Sequence, residues 1–213
     1  MRVFDLHCDT LDRLALHGEA GGAAFEYMEG DNSIPHARMS SLLSNDAHIS
    51  LERTAQFNWC QCFAVFVPDE LRGGAAWSFY LRIRDFFRGQ AAQFEKQLAP
   101  VRTSGEAECA FGAGKTAGML TVEGAAFLAD DGHAGERLDA IADDGVRMVT
   151  LTWNGRNALG SGNVTEDGLT LFGRACVREL EARDIAVDVS HLNDAGFKDV
   201  CGCAQKPFAA SHS

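Results

Sequence analysis

Residues 168–191 read GLTLFGRACVRELEARDIAVDVSH, and the two halves of this stretch obey different periodicities. LTLFGRACVRELEAR (169–183) sets apolar side chains three and four apart among good helix formers, which predicts an amphipathic helix. IAVDVSH (185–191) is a short apolar, β-branched run closing on a polar pair, which predicts a buried strand. A helix that feeds a strand is one half of a β/α unit.

The same alternation extends in both directions. Strands are expected at VFDLHCD (3–9), NWCQCFAVFV (58–67), AGMLTVEG (117–124), VRMVTLTWN (146–154) and PFAASHS (207–213). Helical spacing recurs over residues 75–98 and, more briefly, over 136–143, while the Gly- and Ala-rich residues 18–35, closed by Pro35, read as a long loop. No internal repeat or low-complexity linker interrupts the pattern, so residues 1–213 are read as a single domain. Strands alternating with helices imply parallel pairing with crossover helices, in an open doubly wound sheet or a barrel. The Gly-rich FGAGKTAG (111–118) precedes a strand, whereas a phosphate loop follows one, so nucleotide binding there is not expected.

Composition narrows the function classes. Of 213 residues, 46% are hydrophobic and 23% charged, enough apolar surface for a sizeable core. A formal charge of -11 makes the chain a poor partner for phosphate backbones and anionic membranes. No apolar run is long enough to span a bilayer, and MRVFDLHCDT lacks the apolar core of a secretory signal. The seven cysteines are scattered and mostly inside apolar runs, the pattern of reduced thiols, so a cytoplasmic protein is expected. The Cys-x-Cys pairs Cys60/Cys62 and Cys201/Cys203 lack the two-residue gap of a zinc knuckle.

Acids and imidazoles collect where strands end. His7 and Asp9 stand two apart, so in a strand both point to one face with Cys8 opposite. Glu123 closes the third expected strand, His191 the fifth and His212 the sixth. In parallel β/α architectures the C-terminal strand ends share the rim that carries the active site. Three imidazoles and two carboxylates on one rim suit a borderline cation such as zinc, and five ligands with a shareable carboxylate can hold two ions. His17, His36, His48 and His133 fall in loops or at helix edges and are left structural.

With these residues in place, the sequence resembles the membrane (renal) dipeptidase family, metal-dependent hydrolases with a β/α barrel. The resemblance rests on DLHCDT (5–10), HISLER (48–53), VEG (122–124), GVRMVTLTWNGRN (145–157), residues 168–191 and PFAASHS (207–213), in family order. It implies that His7 and Asp9 hold one zinc, Glu123 bridges two, and His191 and His212 hold the second. It also implies a dipeptidase that presents a metal-bridged hydroxide to the scissile carbonyl, with Glu123 as the catalytic residue and a small dipeptide as substrate. Trp153 and Asn154 are the substrate-contact candidates. Trp153 stands where better-known relatives carry a histidine, and an indole donates one hydrogen bond but carries no charge.

The resemblance reaches the family's first two-thirds, which implies an incomplete barrel with six of its eight strands. A chain so cut leaves strand edges open to pairing, so little activity and self-association, up to a homodimer, are the expectation. Two other readings stand beside the dipeptidase. Deaminases and other amidohydrolases of the same barrel usually begin with a His-x-His pair, which His7-Cys8-Asp9 does not match. A truncated, inactive family member is the other.

Overall fold

The computed structural model describes residues 1–17 and 40–212; the loop expected at 18–35 and His36 lie outside them. The described chain forms two compact units, Met1–Val65 with Leu81–Leu120, and Phe66–Tyr80 with Thr121–Ser213.

In the first unit, β1 (Arg2–Asp5) pairs in parallel with β2 (Asn58–Phe66), Val3 opposite Trp59. Next in the sheet comes β4 (Thr116–Glu123), whose first half carries β3 (Leu98–Pro100), Leu98 opposite Thr116. Both β2 and β4 are buried along nearly their whole length, on both faces, as covered parallel strands are. Helices α1 (Thr10–Ala15), α2 (Leu51–Thr54) and α4 (Ser104–Gly112) lie in this unit. The long α3 (Gly73–Gln93), whose residues from Leu81 belong to this unit, buries Ile83 and Phe87 here and Ala76, Phe79 and Tyr80 in its first half, the stripe that three- and four-residue spacing dictates. Its Phe87 meets Phe63 of β2 with ring centroids 5.8 Å apart.

In the second unit, the end of β4 pairs with β5 (Met148–Thr150), Val122 opposite Val149. β5 pairs with β6 (Ala186–Asp188), Thr150 opposite Asp188. Three helices belong here: α5 (Ala134–Asp144), α6 (Leu171–Ala182) and α7 (Asp194–Cys203). α6 starts where the Thr170 hydroxyl accepts the Gly173 N–H at 2.9 Å, and it buries Gly173, Cys176, Val177 and Leu180. α5 ends at Gly145, whose φ of 91° closes the helix in the left-handed conformation that glycine adopts without strain. The sheet order is β1-β2-β4-β5-β6, with every recorded register parallel and β3 beside the first half of β4.

Two expected strands differ from what forms. β1 stops at Asp5, so His7 and Asp9 follow the strand and do not lie in it. The Asp5 carboxylate accepts the His7 N–H at 3.2 Å, a local side-chain turn that competes with the ladder. The expected inside–outside alternation nonetheless continues, with Cys8 buried between half-buried neighbours. The stretch 207–213 makes only one bridge, Ala209 beside Asp188, because the Ser211 N–H goes to the Asp188 carboxylate at 3.0 Å and not to a carbonyl. The sixth strand of the sheet is instead the three-residue β3, which the sequence reading missed. The seven cysteines are free thiols, and no helix among the described residues is long and apolar enough to cross a membrane.

Candidate metal centre

In the first unit, His7 and Asp9 occupy the turn between β1 and α1. The His7 Nε2 lies 3.0 Å from Asp9 Oδ1. Asp9 is the N-cap residue of α1, yet its side chain makes no capping bond. An aspartate at this position ordinarily satisfies its own helix; here the carboxylate stays with the imidazole. His48 reaches Asp9 only at 4.0 Å and bonds Arg13 at 3.2 Å.

The second unit brings Glu123, His191 and His212 together. Glu123 is the last residue of β4 and only 4% exposed. Its Oε1 lies 2.8 Å from His191 Nε2 and 3.7 Å from His212 Nε2, and those two ring nitrogens are 2.8 Å apart. The glycine that follows, Gly124, has a φ of 81°, and a Cβ there would meet the Val67 carbonyl at 2.8 Å. A side chain at 124 would push the carboxylate's own strand end aside. His191 also has a left-handed backbone, φ 66°, which costs a non-glycine residue roughly 1–2 kcal/mol. Strain of this kind persists where the surroundings over-determine it.

The far side of each ring explains which nitrogen faces the carboxylate. His191 Nδ1 lies 3.0 Å from Asn154 Oδ1, an acceptor, so Nδ1 carries a proton. His212 Nδ1 lies 2.8 Å from the Ser211 hydroxyl, which itself donates to Asp188 Oδ2 at 2.6 Å. With Nδ1 engaged on its far side, each ring turns Nε2 toward the Glu123 oxygen. One carboxylate oxygen and two such nitrogens within about one ligand sphere call for a positive centre among them. Glu123 and His212 are of the metal-holding type by spacing as well as by residue. The donor set fits a zinc-like cation, and both imidazoles carry the outer hydrogen bonds that orient metal-ligating histidines.

Asp188 is fully buried and accepts five hydrogen bonds. Ser190 N (3.1 Å), Ser190 Oγ (2.8 Å) and Ser211 N (3.0 Å) serve Oδ1, while Thr150 Oγ1 and Ser211 Oγ, both at 2.6 Å, serve Oδ2. Burial alone would raise its carboxyl, but the Ser211 and Thr150 hydroxyls and the two N–H groups outweigh it and hold the acid below its ordinary value. Asp69, beyond β2, accepts the Gly155 N–H at 2.6 Å and steadies the loop after β5; burial raises its carboxyl against the opposing pull of that N–H, Arg72 and His191.

Each residue expected at the site thus has a place within its own unit: His7 with Asp9, and Glu123 with His191 and His212. Asn154 holds His191 through its Nδ1. Trp153 packs edge-on against Phe66, ring centroids 5.0 Å apart, with the His191 ring at 6.4 Å. The sequence reading missed Asp188, Ser190 and Ser211. The available signal was a lone acid inside the apolar run IAVDV, since a buried carboxylate demands partners.

Several known proteins are similar to this chain. Dipeptidase verJ of Clonostachys rogersoniana is 30% identical over 125 residues, which is 57% of this chain and 31% of that protein. An uncharacterised protein from the pqqA 5' region of Klebsiella pneumoniae is 35% identical over 100 residues, 43% of this chain and 36% of that protein. The chain thus spans well under two thirds of these curated relatives. Among solved structures, a metallo peptidase from Rhodobacter sphaeroides, liganded with a phosphinate mimic of the dipeptide L-Ala-D-Ala, superposes with a TM-score of 0.78 at 23% identity. That match covers 100% of this chain and 65% of the peptidase. A dipeptidase described as a metallo peptidase gives a TM-score of 0.79 at 24% identity, over 100% of this chain and 63% of the other. The fold is accordingly that of the parallel β/α barrel class, with six strands in an open sheet. The model of the family described as Membrane dipeptidase (Peptidase family M19) matches residues 1–213 from end to end, and to that family the chain belongs.

Proposed function

We propose that the protein is a zinc-dependent dipeptidase in which His7, Asp9, Glu123, His191 and His212 hold two zinc ions. The observation that carries this reading is the buried Glu123 carboxylate facing two imidazoles that are both protonated on their outer nitrogens. Those three atoms crowd around one point, the arrangement in which a cation would be held. Family membership supports the reading, and so does the dipeptide mimic held by the Rhodobacter relative. Bound zinc would supply a Lewis acid for the carbonyl and a water of lowered pKa.

The chain's own residues supply orientation. Glu123 brings the full negative charge of its cluster and would serve as a ligand to the bound metal. Asn154 and Ser211 keep the two imidazoles in the tautomer that a metal needs. Trp153, wedged against Phe66, shapes the wall on which a dipeptide side chain rests.

The test is zinc content and hydrolysis of L-Ala-D-Ala by the purified protein, with and without a chelator. Stoichiometric zinc together with hydrolysis that the chelator abolishes and added zinc restores is the expected result. Hydrolysis that survives complete metal removal, or a protein that takes up no zinc, would overturn the reading.

A further inference from the structure

We propose that Asp188 is a positioning residue which, through Ser211 and Ser190, fixes both the ring and the backbone of His212 so that Nε2 faces Glu123. The inference rests on the metal reading for its consequence, not for its geometry.

His212 has no regular secondary structure to hold it; the nearest ladder contact is the single bridge at Ala209. Its position is set by one carboxylate acting through two hydroxyls. Oδ2 of Asp188 takes the Ser211 proton at 2.6 Å, which leaves the Ser211 oxygen as an acceptor for His212 Nδ1 at 2.8 Å. A neutral ring that donates from Nδ1 keeps its lone pair at Nε2. On the other side, Oδ1 of Asp188 bonds the Ser190 hydroxyl at 2.8 Å, and that hydroxyl oxygen accepts the His212 N–H at 3.1 Å. The Ser190 oxygen also lies 2.8 Å from the His212 carbonyl. Ring and main chain of His212 are thereby referred to the same buried anion at the end of β6.

The direction of the Ser211 proton is the crux. If the hydroxyl donated to the ring instead, Nδ1 would be the acceptor and Nε2 would carry a proton toward Glu123 and His191. A carboxylate that stays ionised in the core attracts that proton first, since hydrogen bonds to ionised acceptors are roughly twice as strong as neutral ones. The short Ser211–Asp188 contact has the length of such a bond. A neutral side chain at 188 with the same shape would lose this preference and let the ring choose either tautomer.

The decisive variant is Ser211→Ala, which breaks the link to the ring and leaves Asp188 its four other donors, so the fold is retained. Two quantities are read. One is the tautomer of His212 in the metal-free protein, from long-range nitrogen–proton NMR of the ring. The other is zinc affinity, from competition with a chelating dye. The expected result is a single Nδ1–H tautomer in the native chain, a tautomer mixture in Ser211→Ala, and zinc affinity lowered about 10- to 100-fold. Ser211→Thr, which keeps the hydroxyl, should restore both. Ser211→Ala with an unchanged tautomer and zinc affinity within twofold of native would overturn the proposal, as would Ser211→Thr failing as badly as Ser211→Ala. Should the native protein take up no zinc, the metal reading fails, and the tautomer comparison still decides the role of Asp188.

Discussion

The two groups of candidate ligands are built in opposite ways. His7 and Asp9 sit on an irregular turn, bond each other directly, and leave the Asp9 side chain 32% exposed. Glu123, His191 and His212 stand on or just beyond strand ends, with a buried carboxylate at the centre and a hydrogen-bonded layer of Asn154, Ser211, Ser190 and Asp188 behind them. The first arrangement can adjust to a metal by rotating two side chains. The second is organised beforehand, and its geometry is held by groups that lie behind the three candidate ligands. Functional side chains supported by locked neighbours tolerate less change than those that are not.

That contrast can be broken experimentally at four points. The largest effect is expected at Glu123→Gln: zinc affinity and dipeptide hydrolysis should each fall by more than about a hundredfold, beyond the usual cost of losing an outer partner. Near-native metal content measured by atomic absorption would place the charge of the cluster elsewhere. Next is Asp188→Asn, which should lower stability in urea by about 2–3 kcal/mol through lost charged hydrogen bonds in the core. Because the native carboxylate is held below its ordinary value, its contribution is complete above the unfolded pKa, about 4, and is lost as pH falls through the lower folded value. The urea midpoint of the native chain should therefore drop below about pH 4 more steeply than that of Asp188→Asn. Equal slopes would remove Asp188 from the acid response.

Asp9→Asn should be milder, about tenfold in zinc affinity with little change in stability, because its carboxylate is part-exposed and caps no helix. A loss as severe as that of Glu123→Gln would show that the first group is as constrained as the second. Trp153→His should do least: dipeptide preference shifts by less than about tenfold with zinc stoichiometry unchanged. An unaltered preference across a panel of dipeptides would make Trp153 simple packing against Phe66.

What could be read from the sequence follows the same division. IAVDVSH and AGMLTVEG announce themselves because burial on both faces leaves a mostly apolar run, and the polar residue near the end of each run is a proposed ligand. HCD was harder. Alternation placed His7 and Asp9 on one side correctly, but the Asp5 side chain ends the strand before either, an effect that depends on a local hydrogen bond and not on periodicity. PFAASHS looks like a strand, yet its polar atoms are drawn to Asp188 in preference to a ladder. The three-residue β3 is too short to leave a periodic trace. The contact of the Asn154 oxygen with His191 leaves no trace in the sequence, since residue type alone does not say which neighbour an amide will meet.

The left-handed backbone of His191 sets the proposed ligand role and the stability of the fold against each other at one position. Glycine is ordinarily the weaker choice for stability, because it gives up more chain entropy on folding than alanine does. At a φ of 66° that order inverts, so His191→Gly should be the more stable of the two non-ligating replacements by about 1 kcal/mol. Any histidine kept here is held at that backbone cost, so the stability gap between His191→Gly and native measures what the twist takes from the fold.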